Sequence, residues 1–331
     1  MKKALIASTA LVLTAGVAAA DVTISGYGRT GVDYQESRDQ ETQVISRVRL
    51  NVLGTTSTDQ GVDFGARLRL QWDQGDAGIT SLAPGQIYVT ASGLTVAVGN
   101  VTPAYDAVGL AGGPEIGYLD RSHGTRSGAF FGYASKAYGS NTLRNECDVD
   151  NPDQPCTIIN ENQTSNRLGI AAEYAVDALK ARVSYVDPDQ TSGATNEEIS
   201  VSVDYTWNNI LLAAAAVRDG AGIDGNDQYF LGAYYTLAGT ENGVGLNWMD
   251  NGNSAAGVDF GKTIVLYGDY AVAPLTTVSA YIANNNADAN ETDNAFGIGA
   301  SYDLGGARLS GAIERGYDEN LRADMGVRFD F

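Results

Sequence analysis

Residues 321–331 read LRADMGVRFDF. Leu321, Ala323, Met325, Val327, Phe329 and Phe331 are apolar, while Arg322, Asp324, Gly326, Arg328 and Asp330 between them are charged or tiny. That two-residue period gives a β-strand with one greasy and one polar face. A strand of roughly 9 to 11 residues is long enough to cross a bilayer when tilted. Phe331, a terminal aromatic on the apolar face, then serves as its anchor at the membrane interface.

The same period recurs back along the chain. It predicts sixteen strands, near 22–34, 44–54, 61–72, 86–91, 94–99, 167–175, 179–186, 197–207, 210–218, 228–237, 243–249, 262–272, 275–283, 294–304, 307–315 and 321–331. In one of them Ile199, Val201, Val203, Tyr205 and Trp207 alternate with Glu198, Ser200, Ser202, Asp204 and Thr206. Tight turns at Ser92-Gly93, Asn208-Asn209, Ala273-Pro274 and Gly305-Gly306 alternate with polar loops at 73–85, 187–196, 219–227, 250–261 and 284–293. Short turns on one side and long loops on the other are the asymmetry of an outer-membrane barrel. No later apolar run than the N-terminal one approaches a membrane helix, Ile210 to Val217 being the longest. A membrane-embedded chain of this kind must close its sheet, because hydrocarbon satisfies no backbone polar group.

A soluble sandwich has the same alternation with its apolar face turned inward. The opposite sidedness is favoured by aromatics near strand ends, among them Tyr174, Tyr185, Tyr205, Trp207, Tyr270, Tyr302 and Phe331, since amphipathic rings settle at headgroup level. Forty Gly and 18 Tyr against seven Pro also suit many strands and interfacial aromatics.

The N-terminus supplies an export route. Met1-Lys2-Lys3, an apolar stretch from Ala4 to Val17 and Ala18-Ala19-Ala20 have the form of a secretory signal cleaved after residue 20, leaving 21–331 as one barrel domain. The net charge of −19 becomes −21 without Lys2 and Lys3. Such acidity disfavours nucleic-acid partners, whose binding depends on cationic neutralisation of phosphates. In an exported chain Cys147 and Cys156 read as a disulfide closing a small local loop.

At Tyr105-Asp106-Ala107-Val108-Gly109 and Pro114-Glu115-Ile116-Gly117 the chain resembles the constriction loop of Gram-negative general porins, especially the alphaproteobacterial type of purple bacteria. The resemblance extends to Gly26-Tyr27-Gly28-Arg29, Ser46-Arg47-Val48-Arg49-Leu50, Asn166-Arg167-Leu168 and the terminal Phe331, and so covers nearly the whole mature chain. It implies an all-β, 16-stranded antiparallel transmembrane barrel, a homotrimer in the bacterial outer membrane among its lipid and lipopolysaccharide. Such a barrel passes ions and small hydrophilic solutes by passive, size-limited diffusion, with no enzymatic step and no cofactor. The third external loop folds inward in the family; here it occupies about 100–166, longer than expected, with room for surface structure or an extra hairpin around Phe130-Phe131 and the two cysteines.

In such a pore the polar faces meet water. Alternation sends Arg29, Arg47, Arg49, Arg67 and Arg69 inward from three neighbouring strands, concentrating positive potential on one wall. Asp106, Glu115 and Asp120 on the inward loop are expected on the opposite side, so that a transverse field acts on passing solutes. The alternative for each Arg is solvation or a pair with Asp33 or Asp63. Lys180, Arg182, Arg322 and Arg328 are possible extensions of the cationic wall. Asp219, Asp224 and Asp227 in one loop offer oxygen ligands suited to Ca²⁺, although acidic loops are commonly just solvated. A sugar-preferring channel would place Tyr105 and Tyr118 along the pore, yet no inward aromatic series accompanies them. A hydrolase would have to work through His123, the single histidine, with Ser122 and Asp120 beside it.

Overall fold

The computed structural model describes residues 20–75, 81–138, 143–146, 157–160, 166–191, 193 and 196–331. Sixteen strands form the wall: β1 Asp21–Gln35, β2 Thr42–Ser57, β3 Asp63–Asp73, β4 Gln86–Ala91, β5 Leu94–Gly99, β6 Leu168–Val176, β7 Leu179–Asp187 and β8 Glu198–Trp207. They continue with β9 Ile210–Arg218, β10 Gln228–Thr236, β11 Gly243–Asp250, β12 Lys262–Ala273, β13 Thr276–Asn285, β14 Asn294–Asp303, β15 Ala307–Arg315 and β16 Leu321–Asp330. Each is antiparallel to the next, and β1 also pairs with β16 from Tyr27↔Asp330 to Gln35↔Arg322. Beyond that register Gly26 and Phe331 exchange backbone hydrogen bonds of 2.7 and 3.0 Å, so the last residue is sewn into the seam. The cylinder leaves no long edge for another chain to extend.

Sidedness is inverted relative to a soluble protein. On β8, Glu198, Ser200, Ser202 and Asp204 are buried, whereas Ile199, Val201, Val203 and Tyr205 are 38 to 49% exposed. Burial here means enclosure within the barrel, and exposure means the hydrocarbon face. Tyr174, Tyr205, Trp207, Tyr270, Tyr302 and Phe331 are exposed on that outer face, while Tyr185 is half-buried.

The connections follow the expected alternation with local adjustments. Pro274 and Leu275 form the β12–β13 turn, Leu275 taking a left-handed φ of 66°, so Ala273 belongs to the strand and not to the turn as expected. A register shift between Ala271 and Ala273 absorbs the extra residue. In the long loop, Leu143–Glu146 pairs with Thr157–Asn160 as a separate two-stranded ribbon, the extra hairpin for which the loop's length left room. Phe130 and Phe131 belong instead to the part inside the barrel, where Phe131 is buried. Cys147, Cys156 and residues 1–19 lie outside the described residues.

β9 explains why Ile210 to Val217 was the longest apolar run. Its outer face meets lipid, and its inner residues Ala213, Ala215 and Val217 are buried under the long loop. A strand covered by apolar matter on both faces loses the polar half of its alternation.

This sidedness predicts unequal costs for charge. Val201→Arg, on the lipid face of β8, should lower stability by about 2–4 kcal/mol, whereas Lys180→Gln on the inner face should change it by less than about 0.5 kcal/mol. Urea-induced unfolding from lipid vesicles measures both.

Candidate functional site

The long loop leaves β5 and lines the inside of the barrel, fastened by wall side chains that supply the hydrogen bonds its irregular backbone lacks. Ala104 N and Tyr105 N donate to the Ser184 and Ser200 hydroxyls at 2.8 and 3.1 Å, Gly109 N to Asp204 at 2.8 Å, and Asn247 donates to Leu110 O at 2.8 Å. Across the lumen Tyr118 N donates to Asp324 at 2.8 Å. On the return limb Ser127 N donates to Asn251 at 3.1 Å and Phe131 N to Glu198 at 2.7 Å. Asn100 finally exchanges hydrogen bonds of 2.8 and 2.9 Å with Ala134, tying the two limbs together.

Apolar packing holds the same path. Tyr105, Val108, Ala111 and Ile116 cluster with inward Val217, Phe230, Met249, Val265, Tyr267 and Tyr281. Inner-wall glycines provide the recesses. A Cβ on Gly31 or Gly326 would stand 2.8 or 2.7 Å from the Tyr118 ring, and one on Gly297 would stand 2.6 Å from Ile116. These glycines therefore serve the approach of the loop as well as strand packing.

The turn of the loop is pinned by charge. Arg121 reaches Asp33 at 2.7 Å, Glu314 at 3.1 Å and Asp324 at 3.7 Å, on β1, β15 and β16, while Arg38 also pairs with Asp33 at 2.8 Å. All three carboxylates are buried. Asp33 is thus a partner of Arg121 and Arg38, not of the wall arginines, and Asp63 accepts from the Ser57 hydroxyl.

The wall arginines occupy one sector but in two electrostatic situations. Arg47 is bound to Asp73, which also holds Lys136 at 3.0 Å. Arg29 donates to Tyr118 O and Leu119 O at 3.3 Å and stands 3.9 Å from Asp120. Arg49 is oriented by Gln71 at 2.7 Å and Arg69 by Asn51 at 2.9 Å, and both donate to the Ser135 hydroxyl, at 3.4 and 2.8 Å. Arg67 and Arg69 lie over the Tyr133 ring, 4.5 and 4.4 Å from its centroid. Among the described residues no carboxylate pairs with Arg49, Arg67 or Arg69.

The three acidic loop residues do not form one opposing patch. Asp120, at a left-handed φ of 52°, joins the cationic side: it accepts from Arg308 and Arg328 at 3.3 and 3.4 Å besides standing beside Arg29. Asp106 is taken up within the loop, accepting from Tyr133 N at 3.3 Å near Arg126, and burial pushes its carboxyl up. Glu115 alone is exposed to the lumen. Its surroundings of protein on the passage walls, reinforced by Asp120 and opposed by Arg126, push it up to about 7.

Of the possible additions to the cationic wall, Arg328 stacks over Tyr27 at 4.2 Å and pairs with Asp120, whereas Arg182 is neutralised between Glu173 and Asp204, both at 2.5 Å. Arg322 stands 3.7 Å from Asp318. In the acidic external loop Asp219 pairs with Arg218 at 3.1 Å and accepts from Gly225 N at 2.9 Å, and Asp224 accepts from Asn196 at 3.2 Å. Among the described residues no three His, Cys, Asp or Glu side chains gather around a cation-sized site.

Tyr105 and Tyr118 are fully buried, so neither faces a permeating solute. The inward tyrosines Tyr234, Tyr267 and Tyr281, absent from the sequence reading, do exist; Tyr267 and Tyr281 are buried under the loop. His123 packs edge-on against Tyr317 and is lowered in basicity by burial and the nearby Arg322, while the Ser122 hydroxyl accepts from Gly124 N at 2.9 Å. Among the described residues no hydrogen bond joins His123 to Ser122 or Asp120, so the nucleophile–base geometry of a hydrolase is lacking.

A closed barrel narrowed by an inward third loop now has a counterpart in known proteins. The family model described as Gram-negative porin matches residues 7–322. The chain belongs to the Gram-negative porin family. The porin of Fuscovulum blasticum is 41% identical, covering 94% of this chain and all of that protein, and the porin of Rhodobacter capsulatus is 25% identical over a similar span. A solved variant of the Rh. blastica porin superposes with a TM-score of 0.81 at 39% identity, again over 94% of this chain and all of the other. This porin is therefore an outer-membrane channel for passive diffusion. Sequence reasoning missed Arg121, Ser135 and Tyr133 as parts of the porin's constriction. The inward glycines Gly31, Gly297 and Gly326 signal room for the loop at Tyr118 and Ile116, but not the places of those three residues.

Removing Arg121 should leave three buried carboxylates facing one another. Arg121→Gln is expected to cost about 3–5 kcal/mol and to raise open-channel current noise as the loop loses its anchor. Urea titration and single-channel recording report the two effects separately.

Proposed function

We propose that ions and small hydrophilic solutes cross this porin through water flanked by the arginine sector of β1–β3, with Glu115 as the loop's lumen-facing negative charge. The observation that carries this reading is the set Arg49, Arg67 and Arg69, held by neutral partners and left with net positive charge. In a passage bounded by low-dielectric walls such charge acts over the whole cross-section. Selection is then by size and by charge preference, with the barrel making no chemical change in the solute and using no cofactor. The buried Tyr105 and Tyr118 and the unlinked His123 support this over a sugar track or a hydrolase.

The homotrimer implied by the family resemblance fits the outer surface of the seam. Thr30 and Ser46 face outward and share a 2.8 Å hydroxyl hydrogen bond, among the exposed Val32, Val44 and Val48. Small and polar groups suit contact with another protomer better than hydrocarbon. The apolar outer face of β8–β14 is then the side turned to lipid and lipopolysaccharide.

Two measurements in planar bilayers test the electrostatic reading. Neutralising Arg47, Arg49, Arg67 and Arg69 together should shift the reversal potential in a KCl gradient toward cation preference; an unchanged potential removes the wall from the mechanism. Glu115 is charged above about pH 7 and neutral below it, so cation preference should weaken from pH 8 to pH 6, and Glu115→Gln should abolish that step.

A further inference from the structure

Most cations turned into the lumen are neutralised. Arg47 and Lys136 share Asp73, Arg29 and Arg328 meet Asp120, Arg121 has three carboxylates and Arg182 has two. Arg49, Arg67 and Arg69 have no carboxylate partner among the described residues, and the loop gathers them: Ser135 accepts from two of them and Tyr133 lies under two. Two guanidiniums converging on one neutral hydroxyl repel each other, and among the described residues no carboxylate forms an ion pair with either.

Their donors are also unspent. Among the described residues the Arg67 side chain makes no hydrogen bond, and in each of Arg49 and Arg69 one terminal nitrogen has no acceptor. None of these nitrogens is among the described side-chain atoms that are both enclosed and without a partner, and all three arginines are half-buried. A ligand here finds a complete guanidinium fork flanked by two further donors. That geometry suits an oxyanion carrying several acceptors, because planar forks match phosphate and carboxylate oxygens in pairs.

We infer that Arg49, Arg67 and Arg69, assembled by Ser135 and Tyr133, form a saturable binding site for phosphate-bearing small solutes within the pore. The inference rests on the diffusion reading and adds to it a resting place for one solute class. A neutral sugar gains nothing at this site. The phosphate oxygens replace water on Arg67 and relieve the repulsion between Arg49 and Arg69.

The test records KCl conductance of the purified porin while pyrophosphate is titrated at constant ionic strength. Conductance should fall to a plateau as the site fills, whereas glucose at the same concentration should not reproduce the plateau. Arg67→Gln should raise the half-blocking concentration about ten-fold, the scale of one charge-assisted contact, and is suited to the purpose because among the described residues the Arg67 side chain contacts the Tyr133 ring and donates no hydrogen bond. The pair R67Q and R69Q together should remove saturation. A conductance unaffected by pyrophosphate, or lowered equally in the wild type and both variants, overturns the site. Failure of the wild type to conduct in KCl alone would count against the diffusion reading instead, so the two failures are distinguishable.

Discussion

Everything in this molecule follows from the demand that a backbone in hydrocarbon satisfy its own polar groups. Sixteen strands meet that demand only when β1 finds β16, and the seam runs to the final residue, where Gly26 and Phe331 exchange hydrogen bonds. Closure fixes the register of every inward side chain. Arg29 lies opposite Arg47, and Arg49 opposite Gln71, because those pairings are what the ladder permits. The cationic sector is therefore a property of the backbone register as much as of the five arginines.

A closed cylinder of this size is hollow, and a loop inside it faces the converse problem. Its backbone cannot form a ladder, so the wall must supply acceptors and donors one by one. Ser184, Ser200, Asp204, Asn247 and Asp324 do so at separate points along the path. Apolar contact contributes most on β9–β13, where the inner face is greasy, and ion pairing contributes most at β1, β15 and β16, where Arg121 gathers three carboxylates. The loop thus has a packed side and a charged side, and the passage is bordered by what remains uncovered.

The strands were legible because their period is short and their faces meet opposite solvents. The bounds of β4, β5, β9 and β15 coincide with the segments read from alternation alone. The interior was legible in part. Alternation turns the five arginines inward, but it says nothing about which inward residues the loop will cover. Tyr105 and Tyr118 carry the same letters whether they line a pore or fill a recess; only the glycines opposite Tyr118 decide for the recess. Asp120 was misplaced for a related reason. Its left-handed backbone turns it back toward Arg29, Arg308 and Arg328, a reversal that sequence spacing does not encode.

Charge balance gives the remaining arginines their meaning. In a chain with a net charge of −19, a cation has many carboxylates to choose from. Inside this barrel several carboxylates are committed elsewhere: Asp33, Glu314 and Asp324 to Arg121, Asp73 to Arg47 and Lys136, and Asp120 to three other arginines. Arg49 and Arg69 are held instead by Gln71, Asn51 and Ser135, amides and a hydroxyl that fix direction without cancelling charge. A structural ion pair would have oriented them equally well, so neutral orienting groups preserve the one quantity an ion pair removes. The field in the passage is the consequence, and it is maintained by the same side chains that keep the loop in place.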